Sequence, residues 1–412
     1  MLLSHMISAW LEPRFPEFLE QLHLLVNIDC GTFSKPGVDE VGRRFCQMLR
    51  ETGCEIKTFP LSEYGDCIQA IWRGRGRLRL LLSGHLDTVY PDGTSAERSL
   101  RQEGNRLLGP GVIDMKSGLL CGLHAMKALL ANGFDDFAEI IFFLNSDEEV
   151  DSPRSKQIYQ PIASQVNAAL VLEGARANGD IVSARKGCAN YTLTVHGRQA
   201  HAGVEIEKGA NAVVELARCI MDLTSLNNPA SGTTLNVGVI KGGTRSNVVP
   251  DYASAEIDAR FITLSAGEQL DQAVHRALDH VTVPGTRIKL SGGIQKAPME
   301  KSAGTVLLVD LANEVAGELG ITFKDVLTGG TSDGNFIGGY GVPTLDGLGP
   351  IGGLDHSPLE YLELDSILPR TALLAGLIAR IAASYDLFPA NDSLDRSASS
   401  STSEGQPAVT MN

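Results

Sequence analysis

Three apolar runs constrain the fold of this chain most: "RLRLLLSG" at residues 77–84, "AEIIFFLNS" at 138–146 and "NAALVLEG" at 167–174. Each is a short, nearly continuous hydrophobic stretch ended by a turn signal. "KSGLLCGLHAMKALLANG" between the first two reads as a helix closed by glycine. Strands with no polar face, separated by helical sequence, predict a largely parallel sheet covered on both sides, an α/β fold.

From Arg185 to about Gly293 the order changes. "YTLTVHG" is a strand, "ANAVVELARCIMDLTSL" a helix, and "TTLNVGVIKGG" and "YASAEIDARF" two more strands. "SAGEQLDQAVHRALDHV", with a capping serine, is a second helix and "TRIKLSGG" a last strand. The βαββαβ order predicts a ferredoxin-like domain, residues 185–293, inserted into a larger domain of residues 1–184 and 294–389. The helix "AGTVLLVDLANEVAGELG" and a long apolar helix near "ILPRTALLAGLIARIAASY" resume the α/β pattern. The Ser-rich stretch 390–412 is almost devoid of apolar residues and is expected to be disordered.

Two domains suit the 412 residues. The 35 basic against 49 acidic side chains, net −14, argue against nucleic acid or an anionic membrane as partner. The N-terminal sequence lacks the layout of a signal peptide and reads as an amphipathic helix. No apolar segment approaches membrane-spanning length without glycine or charge. Seven scattered cysteines without C-x-x-C spacing favour reduced thiols and a cytoplasmic location.

The strand ends carry the chemistry. "SGHLDTVYP" offers His85 and Asp87, "GPGVIDMKSG" Asp114, "LNSDEEVDSP" the pair Glu148–Glu149, "LVLEGAR" Glu173 and "GGLDHSPLEY" His356. Ligands of open α/β sheets bind at the carboxyl ends of the strands. Taken singly, each residue has a plainer reading: a satisfied strand-end histidine, a helix cap at Asp114, a solvated turn at "DEE", a turn residue at Glu173, a surface histidine at 356. Together they place carboxylates at the mouth of an apolar sheet, where they repel one another unless paired or bound to metal. Two divalent ions balance three carboxylate ligands and a bridging hydroxide, and mixed imidazole and carboxylate ligands suit zinc. Glu148 is then free to act as general base.

In this order "SGHLDTVYP", "GPGVIDMKSG", "SDEEVDS", "LEGA", "VHGRQAHAG", "SNVVP", "GGTSDGNF" and "HSPLEY" resemble the motif series of the dizinc aminoacylase/carboxypeptidase metallopeptidases, over roughly residues 15–385. Among them the bacterial glutamate carboxypeptidases are the most similar. The resemblance implies that His85 and Glu173 hold one zinc and Glu149 and His356 the other. Asp114 would bridge them, followed by a cis peptide to Met115, with cobalt or manganese as possible substitutes for zinc. Asp87 would orient His85, Glu148 would be the base, and His201 would stabilise the oxyanion from the neighbouring subunit of a homodimer. Asn247 and Arg260, and Thr331 of "GGTSDGNF", would contact substrate. The implied reaction is hydrolysis of a peptide or amide bond by metal-bound hydroxide, releasing a C-terminal amino acid; an N-acyl-amino-acid deacylase is the alternative. Where the glutamate carboxypeptidases carry arginines at the return from the small domain, this chain reads "GGIQKAP", with Lys296 the cation at hand.

A rival reading takes "GTSDG", residues 330–334, as the nucleophile elbow of a serine hydrolase, with Asp355 and His356 completing a triad. The elbow needs a helix directly after Ser332, and the four glycines and a proline of "GNFIGGYGVP" argue against one.

Overall fold

The computed structural model describes residues 3–388; the expectation for 390–412 lies outside them. The described residues divide into two compact units: residues 3–183, 301–326 and 332–388, and residues 184–300 with 327–331.

The first unit is built on a six-stranded mixed sheet. From one edge it runs Glu55–Phe59, Cys67–Arg73, Glu139–Asn145, Arg79–His85, Ala168–Val171 and Thr344–Leu345. The last four strands are mutually parallel, and Cys67–Arg73 runs antiparallel to both its neighbours. Leu80, Leu81 and Leu82 have no exposed surface, as do Phe142 and Phe143 opposite them, so this sheet is dry on both faces. Helices Ser117–Ala131 and Ile367–Ala383 belong to the same core. The stretch Leu364–Ala383 is long and apolar enough to cross a membrane (mean hydropathy 1.4), but 72% of its 18-residue window is buried inside the protein. Its Arg370, 4% exposed, donates to the carbonyls of Gly349, Gly179 and Gly347, which ties the helix to loops of the same unit.

The second unit has the element order strand Gly187–His196, helix Ala212–Thr224, strands Thr234–Gly242 and Tyr252–Phe261, helix Leu264–Ala277 and strand Arg287–Lys296. Its four strands are antiparallel, with Thr234–Gly242 and Arg287–Lys296 at the edges. Burial alternates along Tyr252–Phe261: Ala253, Ala255, Ile257, Ala259 and Phe261 face the helices, while Ser254, Glu256, Asp258 and Arg260 do not. A one-sided apolar pattern is what an antiparallel sheet with one covered face requires. The cap of helix Leu264–Ala277 is Thr263, whose hydroxyl accepts the Ala266 N–H, rather than a serine.

The glycine-rich stretch after Ser332 does form a helix, Asp333–Gly339, contrary to the sequence expectation. Ser332 and the Asn335 side chain make a capping box, which offsets the cost of three glycines in so short a helix.

Candidate metal centre

Three adjacent parallel strands of the first unit end at the same level, His85 standing in register with Asn145. The loops that follow carry Asp87, the turn Glu148–Val150 and Glu173. The short segment Val112–Lys116 brings in Asp114, whose peptide bond to Met115 is cis, and a loop near the C-terminal helix brings in His356.

Asp114 lies between the two histidines. Its Oδ1 is 3.0 Å from His85 Nε2 and its Oδ2 3.1 Å from His356 Nε2. Glu173 Oε1 lies 3.8 Å from the same His85 nitrogen, and Glu149 Oε2 3.1 Å from the same His356 nitrogen. Each imidazole thus faces one oxygen of the shared aspartate and one of its own glutamate. His356 is held at φ 59°, a left-handed conformation that a non-glycine residue adopts only where its surroundings enforce it.

Asp87 is tied to His85, but mainly through its backbone: His85 Nδ1 is 3.0 Å from the Asp87 carbonyl and 3.4 Å from its carboxylate. That contact leaves Nε2 as the nitrogen that faces Asp114. The Asp87 carboxylate accepts the Thr32 hydroxyl (2.7 Å) and the N–H groups of Glu148 and Glu149 (3.3 Å each). It therefore fixes the Glu148–Glu149 turn relative to His85.

The turn is held from below by buried polar groups that sequence reading did not single out. Asp147 accepts the Ser155 hydroxyl (2.5 Å) and the Arg154 N–H (2.8 Å), and its own N–H goes to Asn145 Oδ1 (2.8 Å). Asn145 in turn donates to Asp333 (2.7 Å), which also accepts the hydroxyls of Ser152 and Tyr159. Asp333 belongs to "GTSDG", so this motif supports the "DEE" turn. Its neighbour Ser332 is 1% exposed and donates to Asp346 (2.6 Å), with no histidine among its partners. A buried capping serine is not a nucleophile, and His356, which the rival triad required, faces Asp114 and Glu149 instead.

The electrostatics show what the cluster lacks. Burial pushes the Glu149 carboxyl up. Hydrogen bonds to Asp114 and Glu149 hold His356 up at about 11. For His85, burial is outweighed by contacts with Asp114 and Asp87, and it too is held well above the usual imidazole range. Carboxylates outnumber imidazoles, and the site calls for positive charge. Among the described residues Glu149 Oε1 is buried and accepts no hydrogen bond, which leaves it available to a cation. Metal-ligand atoms of His85, Asp114 and Glu149 lie within 4.8 Å of one another, as do those of Asp114, Asp355 and His356. The donor set of imidazole nitrogens and carboxylate oxygens fits zinc.

The remaining predicted residues lie in the second unit. His201 and Asn247 are exposed neighbours on paired segments, the Ala202 N–H donating to the Asn247 carbonyl (3.0 Å). Arg260 forks onto Asp258, two residues back on the same strand face (2.7–3.1 Å). Thr331 Oγ1 accepts from Lys296 Nζ (3.3 Å), a lysine only 3% exposed. Glu360, 2% exposed, lies in the first unit and was overlooked in the sequence because a loop glutamate reads as solvated.

The mixed α/β sheet and the His–carboxylate cluster at its strand ends are those of a metallohydrolase. The chain belongs to the peptidase family M20/M25/M40, whose model matches residues 81–380. Carboxypeptidase G2 from Pseudomonas sp. (strain RS-16) is 28% identical over 376 residues, covering 89% of this chain and 90% of that protein. A succinyl-diaminopimelate desuccinylase from Azoarcus sp. (strain BH72) is 28% identical over 321 residues, covering 73% and 83%. Among solved structures, the aminopeptidase PepT of Bacillus cereus ATCC 10987 superposes with a TM-score of 0.76 at 21% identity, covering 89% of this chain and 99% of that one. An M20 family metallo-carboxypeptidase from Sulfolobus solfataricus gives 0.69 at 16%, again covering 89% and 99%.

Proposed function

We propose that this enzyme hydrolyses an amide bond whose amine side is an amino acid with a free carboxylate, releasing that residue in the manner of a glutamate carboxypeptidase. The observation that carries the reading is the pair of His–carboxylate sets sharing the two oxygens of Asp114. His85 and Glu173 would hold one zinc, Glu149 and His356 the other, and Asp114 both. A zinc pair bound there supplies positive charge to polarise the scissile carbonyl and to acidify a water. Glu148, adjacent to Glu149 on an irregular turn, takes the water's proton and returns it to the leaving amine.

The similarity to carboxypeptidase G2 supports release of a C-terminal residue, and that to the desuccinylase supports the second reading, an N-acyl-amino-acid deacylase. In both, Arg260 and Asn247 would recognise the substrate carboxylate, with Thr331 as a further substrate contact. Arg260 carries the planar donor fork that such recognition uses, which faces Asp258 in this structure and would turn to the substrate. The test is a panel of N-acyl amino acids assayed as free acids and as C-terminal amides. The free acids are expected to be turned over and the amides to lose about 1.5–3 kcal/mol, roughly 10–100-fold in kcat/KM, as a charged hydrogen bond is lost. Equal turnover of the amides would contradict carboxylate recognition.

The seven cysteines are all free thiols, which supports a cytoplasmic location. We propose further that the second unit is a lid and a dimerisation domain. Its edge strand Thr234–Gly242 exposes Val239 and Ile240, and the helix Ala212–Thr224 exposes Val214 and Met221, seven residues apart on one face. An open edge beside apolar side chains suits pairing about a two-fold axis. His201 would then serve the oxyanion in the partner's site, a contribution worth roughly 3–4 kcal/mol. Mixing two inactive variants, His201→Ala and Glu148→Ala, tests this. Half of randomly paired dimers are mixed, and each has one site with both residues intact, so roughly a quarter of wild-type activity should return. No recovery would show that His201 acts within its own chain or that the protein is monomeric.

A further inference from the structure

Glu360 is a buried carboxylate that the proposed chemistry does not use. Its Oε1 accepts the N–H groups of Ile113 (2.9 Å) and Asp114 (3.1 Å). Its Oε2 accepts the N–H of Gly111 (2.9 Å) and the hydroxyl of Tyr90 (2.8 Å). That hydroxyl is also 2.9 Å from the Ser357 carbonyl. Burying a carboxylate is costly, and Glu360 is only 2% exposed. A loop could be closed more cheaply with neutral groups, so the arrangement asks for another reason.

The reason lies in what the four donors are attached to. Tyr90 follows His85 by five residues, Gly111 to Asp114 is the loop of the shared aspartate, and Ser357 and Glu360 follow His356. One carboxylate and one hydroxyl thus connect three of the loops that bring the imidazoles and the bridging aspartate together. The Asp114 N–H bond is the most direct link, fixing the backbone from which the shared side chain projects.

We infer that Glu360 is a positioning residue for the metal centre: with Tyr90 it sets the separation of Asp114 from His356, and so the shape of the cation site between them. The inference rests on the reading that Asp114 and His356 hold metal. It acts through backbone amides, so its signature is in metal affinity and ligand geometry.

The experiment is titration of metal-free wild type, Glu360→Gln, Tyr90→Phe and Asp114→Asn with zinc against a chromophoric chelator, and of the same proteins with cobalt followed by its visible spectrum. Glutamine keeps the size but turns an N–H group toward donors it cannot accept from. Glu360→Gln is expected to bind the weaker zinc roughly 10–100-fold less tightly, the usual cost of losing an outer partner, and to show a shifted cobalt spectrum. Tyr90→Phe should move both in the same direction by less. A lower melting temperature of metal-free Glu360→Gln with unchanged zinc affinity and cobalt spectrum would show a merely structural role and overturn the inference. If Glu360→Gln does not fold, unchanged values for Tyr90→Phe overturn it instead. If wild type itself binds no zinc pair, or Asp114→Asn binds as wild type does, the reading of the centre fails first and this inference falls with it.

Discussion

Glu148→Gln should keep both zinc ions and lose about 10²–10⁴-fold in kcat, because the substitution removes proton transfer without removing a ligand. Glu148 and Glu149 share one turn. The Glu149 side chain is 4% exposed, contacts His356 and holds one oxygen buried without a hydrogen-bond partner. Both backbone N–H groups are fixed on the Asp87 carboxylate, so exchanging one side chain leaves the turn in place. Glu149→Gln should behave in the opposite way, losing a zinc along with activity. Metal analysis beside steady-state kinetics separates the two. A Glu148→Gln protein with one zinc fewer would reverse the assignment of base and ligand within the pair.

Asp114→Asn is expected to have a larger effect still. The side chain is the one group that both histidines face, and an amide offers one neutral oxygen and one N–H group where the acid offers two anionic oxygens. The N–H group would point at an imidazole nitrogen or a cation. Zinc content should fall by at least one ion per chain and hydrolysis should be lost with it. The fold should survive, because the Asp114 backbone is held by Glu360 and its side chain joins no core contact. A variant with full zinc content would contradict its bridging place.

Much of the architecture was legible because it depends on local pattern. Apolar runs without a polar face matched the strands Arg79–His85, Glu139–Asn145 and Ala168–Val171 to within three residues at each end. The alternation in "YASAEIDARF" matched strand Tyr252–Phe261 residue for residue. The residues gathered at the metal centre were legible for a similar reason: each follows an apolar strand or sits in a glycine-rich loop. What was not legible depends on distant partners. Glu360 and the Asp114 N–H are 246 residues apart, and Asp333 and Asn145 are 188 apart, so nothing near either acid marks it as buried. The helix at Asp333–Gly339 was not expected because its glycines disfavour a helix, whereas in the fold the Ser332 side chain caps it and gains a second bond to Asp346. Asp87 was read as a carboxylate partner of His85, and its backbone carbonyl does most of that work.

Zinc content followed against hydrolysis in the wild-type protein decides whether the cluster is a working metal centre. The protein is stripped with a chelator and zinc is returned in steps while an N-acyl amino acid with a free carboxylate is assayed. Two zinc ions per chain, no hydrolysis in their absence, and activity that returns as the sites fill are expected. Undiminished hydrolysis by the stripped protein would contradict this expectation.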